Sequence, residues 1–218
     1  MLARRPSILV MPLLAAVLEV VVATLAQYAT DPLGGIGQGL IGILIQLIYG
    51  FAFGVAIIQA NDAWRGHRAS FDDAWEEGRR KAAGIMLAAI GFSLTIYVAG
   101  LVGSLLGGGG IGSLVLSAFA WCFLIYTIPA AAIGGLPGSL ALSGSIRAAR
   151  ANVPAALVLA FLAFVLWKLL PSYVLLYATP LGPTGALLAF AGFRALVIAY
   201  LAFPFAKAYD DLAFRGLW

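Results

Sequence analysis

The sequence predicts an all-α polytopic membrane protein with six transmembrane helices and with both termini in the cytoplasm. Composition is the first observation: 63% of the 218 residues are hydrophobic, 10% are charged, and the mean hydropathy is +1.02. Soluble domains average about 45–50% apolar and about 25% charged residues. The second observation is the set of long apolar runs, and the third is the placement of lysine and arginine between them.

The apolar runs predict one transmembrane bundle that occupies residues 1–218. Each run is long enough to cross about 30 Å of hydrocarbon at about 1.5 Å per helical residue. The six predicted spans are residues 7–28, 35–60, 83–106, 111–133, 154–178 and 184–206.

Lysine and arginine occur on alternate connections between these spans. The connections 29–34, 107–110 and 179–183 contain none, whereas the longer connections 61–82 and 134–153 are basic. Basic residues also precede the first span and follow the last. Because cytoplasmic loops carry the excess of Lys and Arg, both termini and both long connections are predicted to be cytoplasmic. The expected location is the cytoplasmic (inner) membrane of a prokaryote.

Several other partners and sites do not fit this pattern. The formal net charge is +4, but the basic residues lie in short clusters without interleaved aromatic residues, so no nucleic-acid partner is expected. The single cysteine, Cys122, excludes an intrachain disulfide and a multi-cysteine metal site. Arg4 and Arg5 resemble the start of a signal peptide. The apolar run after them is about 20 residues long and contains Glu19, so we expect it to remain as the first span.

The first basic connection contains a predicted interfacial helix at residues 70–81. Ser70 is its expected N-cap, and Asp73 occupies the capping-box position. Two pairs have the i,i+4 spacing of helical ion pairs: Glu76/Arg80 and Glu77/Lys81. Phe71 and Trp75 share one face and are predicted to anchor the helix at the membrane interface. The four carboxylates of this segment also fit a metal or ligand site, but a solvated helix with acidic first turns is favoured.

A shift of 69 residues aligns this segment with a weak second copy. It places Ser139 on Ser70 and Arg150 on Lys81, each ahead of a new span. The repeat predicts a second cytoplasmic interfacial helix at residues 139–150. The sequence leaves open whether the two copies arose by duplication or share only the chemistry of a membrane edge.

Three features together resemble a known group of membrane proteins. They are the element S-F-x-x-A-W-x-x-G-R-R at Ser70 to Arg80, its degenerate copy at Ser139 to Arg150, and the proline-marked helix Thr127-Ile128-Pro129-Ala130. They resemble the uncharacterised bacterial and archaeal six-helix proteins related to the membrane domain attached to glycerophosphodiester phosphodiesterases. The likeness extends in arrangement over residues 50–210. The resemblance implies a membrane module, and no hydrolysis is expected because these residues include no soluble phosphodiesterase domain.

Two glycine-rich segments fit the dinucleotide-binding pattern G-x-G-x-x-G, residues 37–42 and 107–112. Neither follows a predicted strand in a βαβ unit, so we interpret their glycines as turns and close helix contacts. Gly-x-x-x-Gly spacing occurs at Gly35/Gly39, Gly50/Gly54 and Gly103/Gly107. The only histidine, His67, lies in a basic connection, away from the spans. We therefore expect no enzymatic activity and no cofactor, with a carboxylate-based lipid-modifying enzyme as a remaining alternative.

Three full charges lie within the predicted spans: Glu19, Lys168 and Arg194. Each is about 12–14 residues from the cytoplasmic end of its span, which is roughly 18–21 Å deep, and Gln46 and Thr95 reach a similar level. Charges inside spans generally face the bundle interior and pair with one another. We predict a polar cluster in which Arg194 compensates Glu19 through a contact of the bidentate type. The alternative is separate charges that extend to an interface.

Two functions fit this cluster. The favoured one is a non-enzymatic membrane module, either an accessory subunit or an assembly scaffold, in which the polar layer fixes helix register. The alternative is a small transporter or lipid-binding protein that uses Glu19, Lys168 and Arg194 as a site for an anionic ligand or a coupled proton. The expected partners are membrane lipids and other membrane subunits or second copies of the chain. A pocket near the charges would favour the alternative, and a closed bundle would favour the module.

Overall fold

The computed structural model describes residues 5–29, 34–67 and 70–214, and within these ranges it contains helices and turns but no strand. The α-helices are α1 (Val10–Ala29), α2 (Gly34–Trp64), α3 (Phe71–Arg80), α4 (Ala82–Gly103), α5 (Gly109–Leu124), α6 (Thr127–Ala132), α7 (Gly138–Ala151), α8 (Val153–Phe164), α9 (Leu170–Ala178) and α10 (Gly182–Phe214). Four short 3-10 or π-helical turns adjoin them: Pro6–Leu9, Ser104–Gly108, Val165–Leu169 and Thr179–Leu181.

The helices confirm an all-α polytopic membrane fold. Five described segments are long and apolar enough to cross a membrane: Pro6–Ala26, Gly39–Trp64, Ala82–Leu106, Gly110–Ala132 and Tyr173–Leu212. A sixth candidate is the pair Gly138–Ala151 and Val153–Trp167, whose two helices are bent by 115°.

The chain reverses between α9 and α10. Gly182 has a φ of 76°, in the left-handed region that favours glycine. Beyond this turn, Phe193 of α10 lines the same surface groove as Leu170 and Tyr173, which precede the turn. Residues this far apart in sequence meet only if the two helices lie side by side. The apolar stretch Tyr173–Leu212 is therefore an antiparallel hairpin rather than one straight helix.

The predicted cap of the first interfacial helix is confirmed. The Ser70 hydroxyl accepts a hydrogen bond from the Asp73 backbone N–H at 3.1 Å and donates to the Asp73 carboxylate at 2.6 Å. Lys81 Nζ lies 2.6 Å from Glu77 Oε1, so one predicted i,i+4 pair is present. The described residues show no ion pair for the second, Glu76/Arg80.

Phe71 and Trp75 turn one face of α3 toward the bundle. Their rings stack with centroids 6.4 Å apart, and Trp75 meets Phe51 of α2 edge to face at 5.8 Å. Gly78 permits this approach, because a Cβ there would lie too close to Val55 of α2. The helix is therefore attached to α2 through its apolar face.

The second predicted interfacial segment is also helical, as α7, but its start differs from the prediction. The N-cap is Pro137, and Ser139 lies inside the helix without capping it. At the other end, the Asn152 side-chain oxygen accepts from the Ala155 N–H at 3.3 Å and caps α8. This cap lies at the 115° bend, so α7 runs across the end of the bundle rather than along α8.

Glycines bring the membrane helices into close contact. A Cβ on Gly50 would overlap Ala89, and one on Gly54 would lie 2.7 Å from Ile85, so this predicted pair packs α2 against α4. Gly103 of α4 faces the Gly112 backbone of α5. Among the described residues, a Cβ on Gly39 would meet nothing within 4 Å, so its expected packing role is wrong.

The ends of α2 and α10 extend past the predicted spans, which stopped at residues 60 and 206. Trp64 Nε1 donates to the Phe203 carbonyl at 3.0 Å, and Arg65 Nη2 lies 2.6 Å from Asp210 Oδ1. These contacts join the two helix ends, so both helices continue past their predicted spans on the same side of the bundle.

The predicted span 111–133 is broken at residues 125–126, between α5 and α6. Ser145 of α7 occupies the break: its hydroxyl accepts from the Tyr126 N–H at 3.0 Å and donates to the Phe123 carbonyl at 2.9 Å. A side chain from another helix thus satisfies backbone groups that a continuous helix would have paired internally.

Candidate binding cavity and the adjacent ion pair

The predicted contact between the first and last spans is present. Nη1 of Arg194 in α10 lies 2.6 Å from Oε1 of Glu19 in α1, and Glu19 is only 5% exposed. The pair uses a single contact instead of the expected bidentate one, because the other carboxylate oxygen accepts the hydroxyl of Tyr49 in α2. The three side chains therefore join three helices.

Aromatic rings enclose the Arg194 guanidinium. Its Cζ lies 4.0 Å from the ring centroid of Tyr49, 5.5 Å from that of Trp167 and 5.4 Å from that of Phe190. Such cation–π contacts contribute about 0.5–1 kcal/mol at exposed sites and about 2 kcal/mol or more when desolvated. Arg194 is thus both neutralised by Glu19 and shielded by aromatic rings.

Lys168 lies in the π-helical turn Val165–Leu169. Its side chain falls outside the described residues, so its predicted position near the ion pair stays a prediction. The same turn carries Trp167, whose ring centroid lies 6.2 Å from that of Tyr49 and 6.5 Å from that of Phe53. Single π-helical turns within α-helices are frequent at functional sites.

A cavity of about 290 Å³ lies within the bundle, lined by residues of α2, α4, α5, α6, α8 and α10 and of the π-helical turn Val165–Leu169. This volume is close to the lower limit of about 300–1,000 Å³ for small-molecule sites. None of the lining side chains that the structure describes is charged. Tyr97 is 65% exposed, so the cavity reaches the outer surface of the bundle. Much of the wall is aromatic: Tyr49, Phe53, Phe92, Trp121, Trp167 and Phe205.

One hydrogen-bonded pair forms a polar corner in this wall. Gln46 Nε2 of α2 donates to Ser93 Oγ of α4 at 2.7 Å, and Ser93 donates to the Ala89 carbonyl at 2.9 Å. Because the Ser93 hydrogen is already used, Gln46 has to be the donor, and this fixes which way its amide points. Gln46 therefore belongs to the cavity wall, one helical turn from Tyr49, and does not contact the ion pair itself.

The predicted place of Thr95 in the polar cluster is wrong. Thr95 is exposed, and its hydroxyl donates to the Gly91 carbonyl of its own helix at 2.7 Å. Its depth is similar to that of Ser93, but positions two apart on an α-helix point in nearly opposite directions. Ser93, and not Thr95, faces the bundle interior.

Sequence reasoning missed four residues of the site: Tyr49, Ser93, Trp121 and Trp167. A signal existed for Tyr49, because it follows Gln46 by three positions and so shares its helical face. No comparable signal marked Trp121, since an aromatic residue in an apolar helix faces lipid as readily as a cavity.

No known protein family, curated protein or solved structure matches this chain in the comparisons made. The resemblance carried by Ser70 to Arg80 and by Ser139 to Arg150 therefore stays a prediction.

Proposed function

We propose that this protein is a non-enzymatic integral membrane protein that holds a neutral amphipathic molecule from the bilayer in its central cavity. The observation that carries the proposal is the cavity itself, with an aromatic wall and one polar corner at Gln46 and Ser93. Ligand sites typically combine a mostly apolar lining with a small number of polar groups. A closed bundle would have favoured a purely structural module instead.

The contacts of the ion pair support a structural role for Glu19 and Arg194. Both carboxylate oxygens of Glu19 are engaged, one by Arg194 and one by Tyr49, and neither charged residue lines the cavity. An anionic ligand would have to displace Glu19 from the guanidinium. We propose instead that the pair fixes the register of α1, α2 and α10, and holds Tyr49 and Trp167 in the cavity wall.

The proposed topology is six spans with both termini cytoplasmic, in the inner membrane of a prokaryote. The alternation of basic and uncharged connections supports this orientation. Residues 153–178 supply the fifth span, which runs back along α10 as a hairpin. In this topology α3 and α7 lie at the cytoplasmic face, where their basic residues meet lipid head groups. Membrane lipids are then the direct partners.

Filling the cavity tests the proposal. Ala163 is buried in the cavity wall, so Ala163→Leu places extra side-chain volume there, whereas Ala118→Leu adds the same volume on the outward face of α5. We expect native mass spectrometry of the protein released from nanodiscs to show a retained small molecule on the wild type and on Ala118→Leu. Ala163→Leu should lack it while remaining monodisperse.

Equal retention by all three proteins, or no retained molecule on any, would contradict a binding role. Ile128→Phe, which enlarges a different lining side chain, is the second variant should Ala163→Leu fail to fold.

A further inference from the structure

We propose that Gln46 recognises the polar end of the bound molecule, and that this molecule is a neutral lipid with a hydroxyl head group. The inference rests on the proposed function and adds to it the chemical class of the ligand and the residue that selects it.

The hydrogen-bonding capacity of Gln46 carries the argument. A glutamine side chain offers two N–H donors and one carbonyl acceptor. One N–H is used on Ser93. Within the described part of the chain, the second N–H and the carbonyl oxygen have no partner. A hydroxyl accepts and donates through the same oxygen, so it complements both groups, whereas an ether or ketone complements only the donor.

The other polar groups of the wall are less available. The Tyr49 hydroxyl donates to Glu19. The Trp121 indole nitrogen has no hydrogen-bond partner among the described residues, but it is fully buried and not open to a ligand. Tyr97 is 65% exposed and lies at the outer surface of the bundle. Gln46 is therefore the polar group best placed to contact a molecule inside the cavity.

The rest of the wall selects for a neutral molecule with an apolar chain. An ionised head group would leave water for an apolar, aromatic surface without a counter-charge among the described lining residues, and this is strongly unfavourable. A hydrocarbon chain gains from the same surface. The exposed position of Tyr97 lets such a molecule enter sideways from the bilayer.

Matched photoreactive probes test the inference in nanodiscs. The probes are a twelve-carbon alcohol with a mid-chain diazirine and a terminal alkyne, its methyl ether, and the carboxylic acid of the same chain. We expect the alcohol to crosslink to cavity residues such as Phe92 and Trp121 about three- to ten-fold more than the ether, the ratio that one hydrogen bond gives. In Gln46→Leu, which removes both the donor and the acceptor, the alcohol and the ether should crosslink equally. Thr95→Val, on the outer face of α4, should leave the yield unchanged.

The other labelling patterns would contradict the inference, the proposed function or both. Equal cavity labelling by alcohol and ether would overturn the inference and leave the proposed function standing. Strongest labelling by the acid, lost in Lys168→Gln, would overturn it in favour of an anionic ligand. Absence of cavity crosslinks with all three probes would contradict the proposed function as well. Should Gln46→Leu fail to fold, the alcohol-to-ether ratio on the wild type decides.

Discussion

At the scale of single residues, the central feature is the buried ion pair between Glu19 and Arg194. Glu19 and Arg194 come from opposite ends of the chain and meet where neither has free access to water. A lone charge at mid-bilayer costs about 2.5–3.5 kcal/mol on insertion scales. Pairing, the Tyr49 hydroxyl and the aromatic rings offset that cost.

Breaking the pair on one side should destabilise the protein more than removing both charges. Glu19→Gln leaves the Arg194 guanidinium buried without its counter-charge, and removing one partner of a buried pair costs about 3–5 kcal/mol. We expect a clearly lower midpoint of thermal unfolding in detergent for Glu19→Gln, and partial recovery in the double variant with Arg194→Gln. Asp211→Asn is the control, because it breaks an exposed pair with Lys207 and should change stability by about 1 kcal/mol or less. A double variant no more stable than Glu19→Gln would contradict the pairing account.

Depth along each span was enough to predict the Glu19–Arg194 contact, because charges on two neighbouring spans can pair only when they lie at a similar depth in the membrane. Depth does not give the direction in which a side chain points. For this reason depth predicts Thr95 in the cluster, although Ser93 is the residue that faces inward. For the same reason the hydrogen bond from the Tyr49 hydroxyl to Glu19 was not predicted. The apolar sequence around these positions has little amphipathic pattern, so it does not distinguish a lipid-facing from an interior side.

At the scale of helices, the α4–α5 hairpin depends on glycine. A Cβ on Gly103 would overlap the Gly112 carbonyl, whereas a Cβ on Gly110 would meet nothing within 4 Å. We expect Gly103→Ala to cost about 1–3 kcal/mol through overpacking. Gly110→Ala, in the same hairpin, should be neutral or stabilising by up to about 1 kcal/mol because alanine favours helix. Thermal unfolding of the two variants in parallel measures the difference, and equal stability would show that the helices separate without penalty.

The sequence predicted a helix end correctly where residues close in sequence determine that end. The Ser70 cap was predicted because its bonds join residues three apart. The break at residues 125–126 was not predicted, because the side chain that satisfies its backbone, Ser145, comes from another helix. The start of α7 was predicted at Ser139 because it rested on the alignment of Ser139 with Ser70, whereas the N-cap is Pro137. The π-helical turn that carries Trp167 was also not foreseen.

At the scale of the whole molecule, composition and the alternation of basic connections predicted the membrane class. They did not predict the cavity. Its wall combines residues of α2, α4, α5, α6, α8 and α10. Which faces of these helices meet is decided by long-range packing that no local pattern records. The cavity, the ion pair beside it and the interfacial helices all take their proposed roles from one topology.

The central claim is that the chain crosses the membrane six times with both termini in the cytoplasm, and single-cysteine labelling tests it most directly. In a Cys122→Ala background, cysteines placed at Thr30, Gly109 and Thr179 should react with a membrane-impermeant maleimide on intact cells. Cysteines at Arg79 and Arg147 should react only after the membrane is opened. Protection of a cysteine at Thr179 would show that residues 153–178 do not cross, and external labelling of a cysteine at Arg147 would show the same for residues 111–133. A fully reversed pattern would contradict the whole account.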